Sequence, residues 1–512
     1  MSARIHLRNL AFNWGGHAAT LVVLFFLSPY IVGKLDAVSY GIWSLLNVLT
    51  GYMGIFDLGV RASVGRHVAL YLGKSDEKGV DETIRAGFGF FTLVGGIILV
   101  SGIILGWFFP VMFKGASPEH YHTVRMLLPL MVITVWLSVI AAIYSSVLAA
   151  HDRFDVARGI DLGVLVIRTI VTILALEMGW DLWGLVLAII IGNICAVIGN
   201  RFFAGKVHRS LRSFPVLYSK KRLKELLNYG IAAFISKSAI KIIGQSDLVI
   251  VGVFLSVADV REYNVGAMLV YYSATFIGLI GNTFFPTIQR AASGGTLGEV
   301  RHLFYRQLKI TLCFGLLVYI GFLFFSRPFI HLWMYQDNFS KESVSAAAGV
   351  MLVLSLSKFP TLYIHPCINV LSAMGYVRFT ASVSMLEALV NLVLSVLFVS
   401  IFHLGIIGVA MGTLIGRILI PTIILPVYLC NKSNIKLSTF IKSSVAPGIL
   451  STGIFSVFCY YLVRLFSPTD WISFFILVFI SIFIWVIIAS IFLIPKDIRK
   501  KAIGKFKKFN VV

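Results

Sequence analysis

Charge is what this sequence has least of. Only 13% of its 512 residues are Asp, Glu, Lys or Arg, and the acids are outnumbered by the bases, 22 against 44. Soluble domains carry about 25% charged residues, so this composition excludes a chain of water-soluble globules. Cysteine is scarce as well. The five, at 195, 313, 367, 430 and 459, make no CxxC or metal-ligand spacing and read as small apolar residues. Long polar stretches are also missing: about twenty residues separate hydrophobic runs at most, too few for a folded catalytic domain. There is no GxGxxG, Walker loop, HExxH or paired-acid site. No enzyme activity, catalytic residue, metal or other cofactor is therefore expected.

Apolar residues are abundant: 58% of the chain is hydrophobic, with 41 Phe and 9 Trp. Fourteen runs are long enough to cross a bilayer as helices. They fall at 9–32, 38–60, 84–109, 123–149, 157–177, 182–203, 226–255, 262–288, 306–326, 344–371, 376–400, 404–429, 443–464 and 471–494. The expected fold is an all-α polytopic membrane protein. The first run is too long for a signal-peptide core and lacks a cleavage site, so it reads as the first span. The net charge of +22 does not call for nucleic acid. With a cytoplasmic N-terminus, 32 of the 44 Lys and Arg fall in inside-facing segments and 7 in outside-facing ones. That bias alternates loop by loop and places both termini in the cytoplasm.

A repeat runs through the first twelve spans. Val147-Leu148-Ala149-Ala150 recurs as Val370-Leu371-Ser372-Ala373, and Tyr40 as Tyr263, both offset by 223. Gly184 recurs as Gly408 and Gly192-Asn193 as Gly416-Arg417, offset by 224. Two six-helix bundles in parallel order follow, at 1–203 and 226–429. A basic cytoplasmic linker joins them at 204–225, suited to anionic headgroups. Two further spans and a basic tail fill 430–512.

Ionisable residues inside spans are expensive and mark function or internal pairing. Lys237 and Lys241 lie one turn apart on span seven, with Gln245 on the same stripe and Asp247 beyond. Three arrangements would satisfy them: salt bridges to Asp247 or Glu387, snorkelling to the cytoplasmic interface, or an anionic substrate in a cleft. Mutual repulsion between the two favours the substrate. Asn13 and His17 share a face of span one, as binding groups or as satisfied core polars. Asp57 and Arg61 stand four apart at the mouth of span two. Tyr271 and Tyr272 of span eight suit a sugar or ordinary packing. Arg168 lies mid-span, seven residues after Asp161 and on roughly its face. Lys358, His365 and Asn369 share a face of span ten. Glu387 suits a pair with Arg417 or Lys358, and Asp57, Asp247 and Glu387 are the carboxylates open to ion coupling.

Local text adds a resemblance. Ser39-Tyr40-Gly41-Ile42-Trp43, Phe56-Asp57-Leu58-Gly59-Val60 and Arg66-His67-Val68-Ala69, with Gln245-Ser246-Asp247-Leu248-Val249-Ile250-Val251-Gly252, are similar to one family. It is the multidrug/oligosaccharidyl-lipid/polysaccharide (MOP) exporter superfamily, in its O-antigen flippase-like branch. The resemblance implies a V-shaped, MATE-like pair of bundles working by alternating access, with spans one, two, seven and eight lining the cleft. It implies a lipid-linked oligosaccharide, an anionic polyprenyl pyrophosphate, moved across a bacterial inner membrane. Lys237, Lys241, His17, Asn13, Arg61, Tyr271, Tyr272 and Arg168 would contact it. A polysaccharide polymerase and glycosyltransferases would be partners, beside membrane lipids. The alternatives are a peptidoglycan-precursor (lipid II) flippase, a MATE-like multidrug or cation antiporter, and a non-transporting scaffold of a polysaccharide assembly complex.

Overall fold

The structure, a computed structural model, describes residues 3–54, 60–208 and 245–494. Every named element among them is helical. Backbone groups in hydrocarbon must be satisfied within the chain, and a helix does this locally. In order they are α1 (Ala3–Lys34), α2 (Ala37–Met53), α3 (Val60–Gly73), α4 (Glu77–Met112), α5 (Pro118–Ala150), α6 (Phe154–Glu177) and α7 (Asp181–Val207). Then follow α8 (Gln245–Phe254), α9 (Val257–Ser293), α10 (Leu297–Met334), α11 (Lys341–Ala373) and α12 (Val377–Ser400). The last are α13 (Gly405–Leu419), α14 (Pro421–Lys432), α15 (Leu437–Leu465) and α16 (Trp471–Phe492).

Among the described residues, eleven helices are long and apolar enough to cross a membrane, with α13 and α14 counted together. Each coincides with an expected span. The other three expected spans, 9–32, 38–60 and 226–255, are represented by α1, α2 and α8. Within α15, residues Ile441–Val445 form a π-helical turn just before Pro447. Proline lacks the N–H that the helix would use, so the widened turn absorbs the fault.

The chain divides into two compact units, Met1–Arg261 and Glu262–Val512. In the first, α5 packs between α4 and α7, α6 lies on α7, and α1 lies on α6. In the second, α11 packs between α10 and α13, α12 lies on α13, and α15 and α16 lie against α10. The order α4-α5-α7-α6 therefore recurs as α10-α11-α13-α12. This two-bundle packing gives the sequence repeat a physical meaning, because its matched glycines are the helix contact points. Gly184 meets Ala175 and Gly192 meets Arg168 across α6 and α7; Gly408 meets Phe398 and Gly416 meets Asn391 across α12 and α13. Small residues let helices approach closely where lipid removes the usual hydrophobic drive. Gly412 is the tightest of its row. A Cβ there would lie 2.6 Å from the Ser395 nitrogen and 2.7 Å from its Cα. Backbone cannot yield as a side chain can, so Gly412→Val is expected to destabilise the second unit by about 1–3 kcal/mol or more. A lowered unfolding temperature in detergent, against an unchanged Gly453→Ala control with open space around it, checks this.

Polar caps fix the helix ends. Asp36 accepts from the Val38 and Ser39 amides and the Ser39 hydroxyl at 2.6–3.0 Å, starting α2. The Ser39 hydroxyl also meets His120, which Ser117 holds at the start of α5. Burial alone would raise the Asp36 carboxyl, but the hydrogen bonds from Ser39 and Val38 outweigh it and hold the group below the usual carboxylate range. A depressed folded value means stabilisation present above the unfolded value near pH 4 and lost as pH falls through the folded one. Asp36→Ala is thus expected to cost about 1 kcal/mol at neutral pH and progressively less as the pH falls below the unfolded value. Paired unfolding curves of the variant and the parent protein at neutral and acidic pH test the sign.

Candidate functional site

The second unit holds a ladder of buried polar side chains. Glu387, Asn391 and Ser395 of α12 are spaced by four and so share one helix face. Thr413 and Arg417 of α13 are spaced likewise. Glycines at 412 and 416 bring these two faces together. Arg417 Nε donates to Glu387 Oε1 at 2.7 Å, and its Nη1 donates to Thr361 Oγ1 of α11 at 3.1 Å. Asn391 Nδ2 donates to Thr413 Oγ1 at 2.6 Å. Ser395 Oγ donates to the Val409 carbonyl at 3.2 Å. Glu387 is only 7% exposed, and among the described residues it is the one buried carboxylate of this unit.

Lys358 of α11 is also buried, and its Nζ lies 4.9 Å from the centre of the Tyr271 ring. An aromatic face attracts a desolvated ammonium. His365 is exposed on the helix face that carries Lys358. Tyr271 and Tyr272 are half-buried on α9. Neighbours in a helix point about 100° apart, and the ring that Lys358 faces is that of Tyr271. Lys358 stands out in the sequence by its charge, but nothing in the spacing links it to Tyr271. Glu387 has four candidate cations in the sequence, Lys237, Lys241, Lys358 and Arg417, and the fold gives it to Arg417.

In the first unit, Arg168 lies on the inner stripe of α6 that includes the buried Ala157, Thr172 and Ala175. Its stem rests on Gly192 of α7: a Cβ there would collide with Cγ and stand 2.7 Å from Cδ. Asp161 does not meet it. That carboxylate accepts from Arg158 at 3.1 Å.

The described part of span seven is seated against α2. Gly51 faces the Gln245 side chain, Gly252 faces Leu45 and Phe113, and Gly41 lies directly against the Val257 carbonyl. The Lys114 amide donates to the Gly252 carbonyl at 3.2 Å, and the Val257 amide donates to the Lys114 carbonyl at 2.9 Å. Asp247 is almost fully buried, with Tyr52 of α2 as an electrostatic neighbour. Lys237, Lys241, Asp57 and most of the basic linker lie outside the described residues. Asn13 and His17 fall on α1 and Arg61 on α3, but their side chains also lie outside them.

Among the described residues, eleven helices long and apolar enough to cross a membrane, with a ladder of polar side chains buried in the second unit, define a multi-pass membrane protein. Known proteins sharpen that class. The chain belongs to the lipid II flippase MurJ family, whose model matches residues 68–482. An uncharacterized membrane protein, EpsK of Bacillus subtilis (strain 168), is 19% identical over 507 residues, 98% of each chain. A putative O-antigen transporter of Shigella flexneri is 20% identical over 421 residues, 81% of this chain and 95% of its own. Among solved structures, the fold is similar to an inward-facing multidrug resistance MATE family transporter of the MOP superfamily. The TM-score is 0.66 at 13% identity, over 80% of this chain and 94% of that one. A lipid II flippase MurJ in an inward closed conformation gives 0.64 at 19% identity, over 93% and 98%. The protein is accordingly a MOP-superfamily transporter and not an enzyme. The narrower O-antigen branch does not stand apart, since MurJ and MATE relatives match as well.

Proposed function

We propose that this protein flips a polyprenyl-pyrophosphate-linked saccharide across a bacterial inner membrane, with lipid II as the first substrate. The family match over residues 68–482 carries this reading. The likeness along nearly the whole chain to EpsK, and over most of it to the O-antigen transporter, favours a second substrate, a lipid-linked oligosaccharide. A cationic drug would want an open carboxylate, and the Glu387–Arg417 bond argues against one there.

Such a flippase breaks no covalent bond. It shelters a diphosphate and its sugars while the lipid tail stays in hydrocarbon about 30 Å thick. Bare charge there is prohibitive, so fixed cations must replace water. Lys237 and Lys241 are proposed for that work, with Arg61 at the cytoplasmic mouth. Asn13, His17, Tyr271 and Tyr272 are proposed for the sugars. Asp57 and Asp247 are proposed for ion coupling. Glu387 could serve only by releasing Arg417. The layout expected from the charge bias, with fourteen spans, two bundles at 1–203 and 226–429, a linker at 204–225 and cytoplasmic termini, fits this use.

The test is leaflet transfer in reconstituted vesicles, with lipid II and a lipid-linked oligosaccharide offered in parallel. Transfer of lipid II supports the first reading, and transfer of the oligosaccharide alone supports the second. Ethidium efflux with neither lipid moved would overturn both.

A further inference from the structure

We propose that Arg168 is an anion anchor inside the first unit, and that it takes a lipid-borne phosphate or diphosphate. The inference rests on the flippase reading for its ligand, but its geometry stands by itself. Arg168 is nine residues from the C-terminal end of α6 and fourteen from its start. At 1.5 Å per residue it lies roughly 13 and 21 Å from those ends, well inside the hydrocarbon. It points inward with Ala157, Thr172 and Ala175, not to lipid. A guanidinium at that depth is retained for an anion, a partner helix or a water-filled crevice.

The one acid of the partner helix, Asp181, stands at its start, eleven residues before Gly192. Arg168 makes no hydrogen bond or ion pair among the described residues. Asp161, two turns earlier on its own stripe, is engaged by Arg158. What α7 supplies is a seat. Gly192 leaves a hollow in which the arginine stem lies, with Nε 3.0 Å from where a Cβ would stand. A seated stem aims the guanidinium and lowers the entropy lost when a ligand binds.

The repeat makes the contrast sharp. Gly416 is the counterpart of Gly192, and beside it the α12–α13 pair neutralises its own cation through Glu387 and Arg417. The α6–α7 pair has the cation, and position 163, the counterpart of Glu387, is glycine. Arg168 is half-buried, so its planar fork is reachable. That fork suits two phosphate oxygens at once, where lysine offers a point charge.

The experiment is binding of farnesyl diphosphate to the purified full-length protein in neutral detergent, with farnesol as the phosphate-free control. Arg168→Gln is expected to weaken diphosphate binding at least about tenfold and to leave farnesol unchanged. Arg168→Lys should keep part of the affinity, and Gly192→Ala should lose affinity by displacing the stem with the charge intact. A purely structural arginine would give equal diphosphate affinity in Arg168→Gln together with a lowered unfolding temperature, and that result overturns the proposal. Competition by phosphatidylglycerol assigns the phosphate to bulk lipid. Its failure to compete assigns it to the polyprenyl substrate. Because no transport is measured, failure to move lipid II or oligosaccharide would fall on the flippase reading alone.

Discussion

Arg417→Met is expected to destabilise the second unit by about 3–5 kcal/mol, the cost of leaving a buried charge without its partner. Glu387 would lose the 2.7 Å bond from Nε, and Thr361 would lose the 3.1 Å bond from Nη1. Only 7% of Glu387 is exposed, so water cannot compensate. Glu387→Met alone should cost a similar amount, by stranding the guanidinium. The double replacement, Glu387→Met with Arg417→Met, should recover most of the loss, because well-packed apolar residues often match a buried ion pair. Unfolding curves in detergent for the two single variants and the double give the coupling directly. The double variant also separates two roles for Glu387. If it folds and still transports, the pair is structural. If it folds and transport stops, Glu387 has a coupling role as well.

The largest functional loss is expected from Lys237→Ala combined with Lys241→Ala. Each fixed cation that meets a desolvated phosphate contributes about 1.5–3 kcal/mol, so each single change should slow leaflet transfer at least about tenfold. The double should abolish transfer above background, with normal expression and membrane insertion. In the sequence both lysines come shortly before Gln245, four residues apart, and the Gln245 side chain is seated on Gly51 of α2. A double variant transporting at the parent rate would show that these charges are satisfied internally and that the anion is held elsewhere. Arg168 would then be the leading cation of the first unit.

Much of this architecture is legible in the order of residues. A helix is the one structure that satisfies its own backbone inside lipid, so apolar run length alone locates the eleven long helices. The repeat is legible too, because glycines at 184, 192, 408 and 416 must keep their places for two helix pairs to pack in the same way. Helical periodicity also shows which side chains share a face: Glu387 with Asn391, and Lys358 with His365. Partners across helices are another matter. In an apolar chain, hydrophobic pattern does not say which neighbour a face will meet, since lipid is as apolar as protein. The sequence offered Glu387 four cations, Lys237, Lys241, Lys358 and Arg417, and Arg168 one acid on its own stripe. Only the tertiary structure gave Glu387 to Arg417 and Lys358 to the Tyr271 ring; within α6 it gave Asp161 to Arg158, and it set Arg168 on Gly192 with no ion pair among the described residues. The physical reason is that a partner on another helix depends on how closely the two helices approach, which glycines such as 412 and 416 set, while the charges themselves were fixed residue by residue.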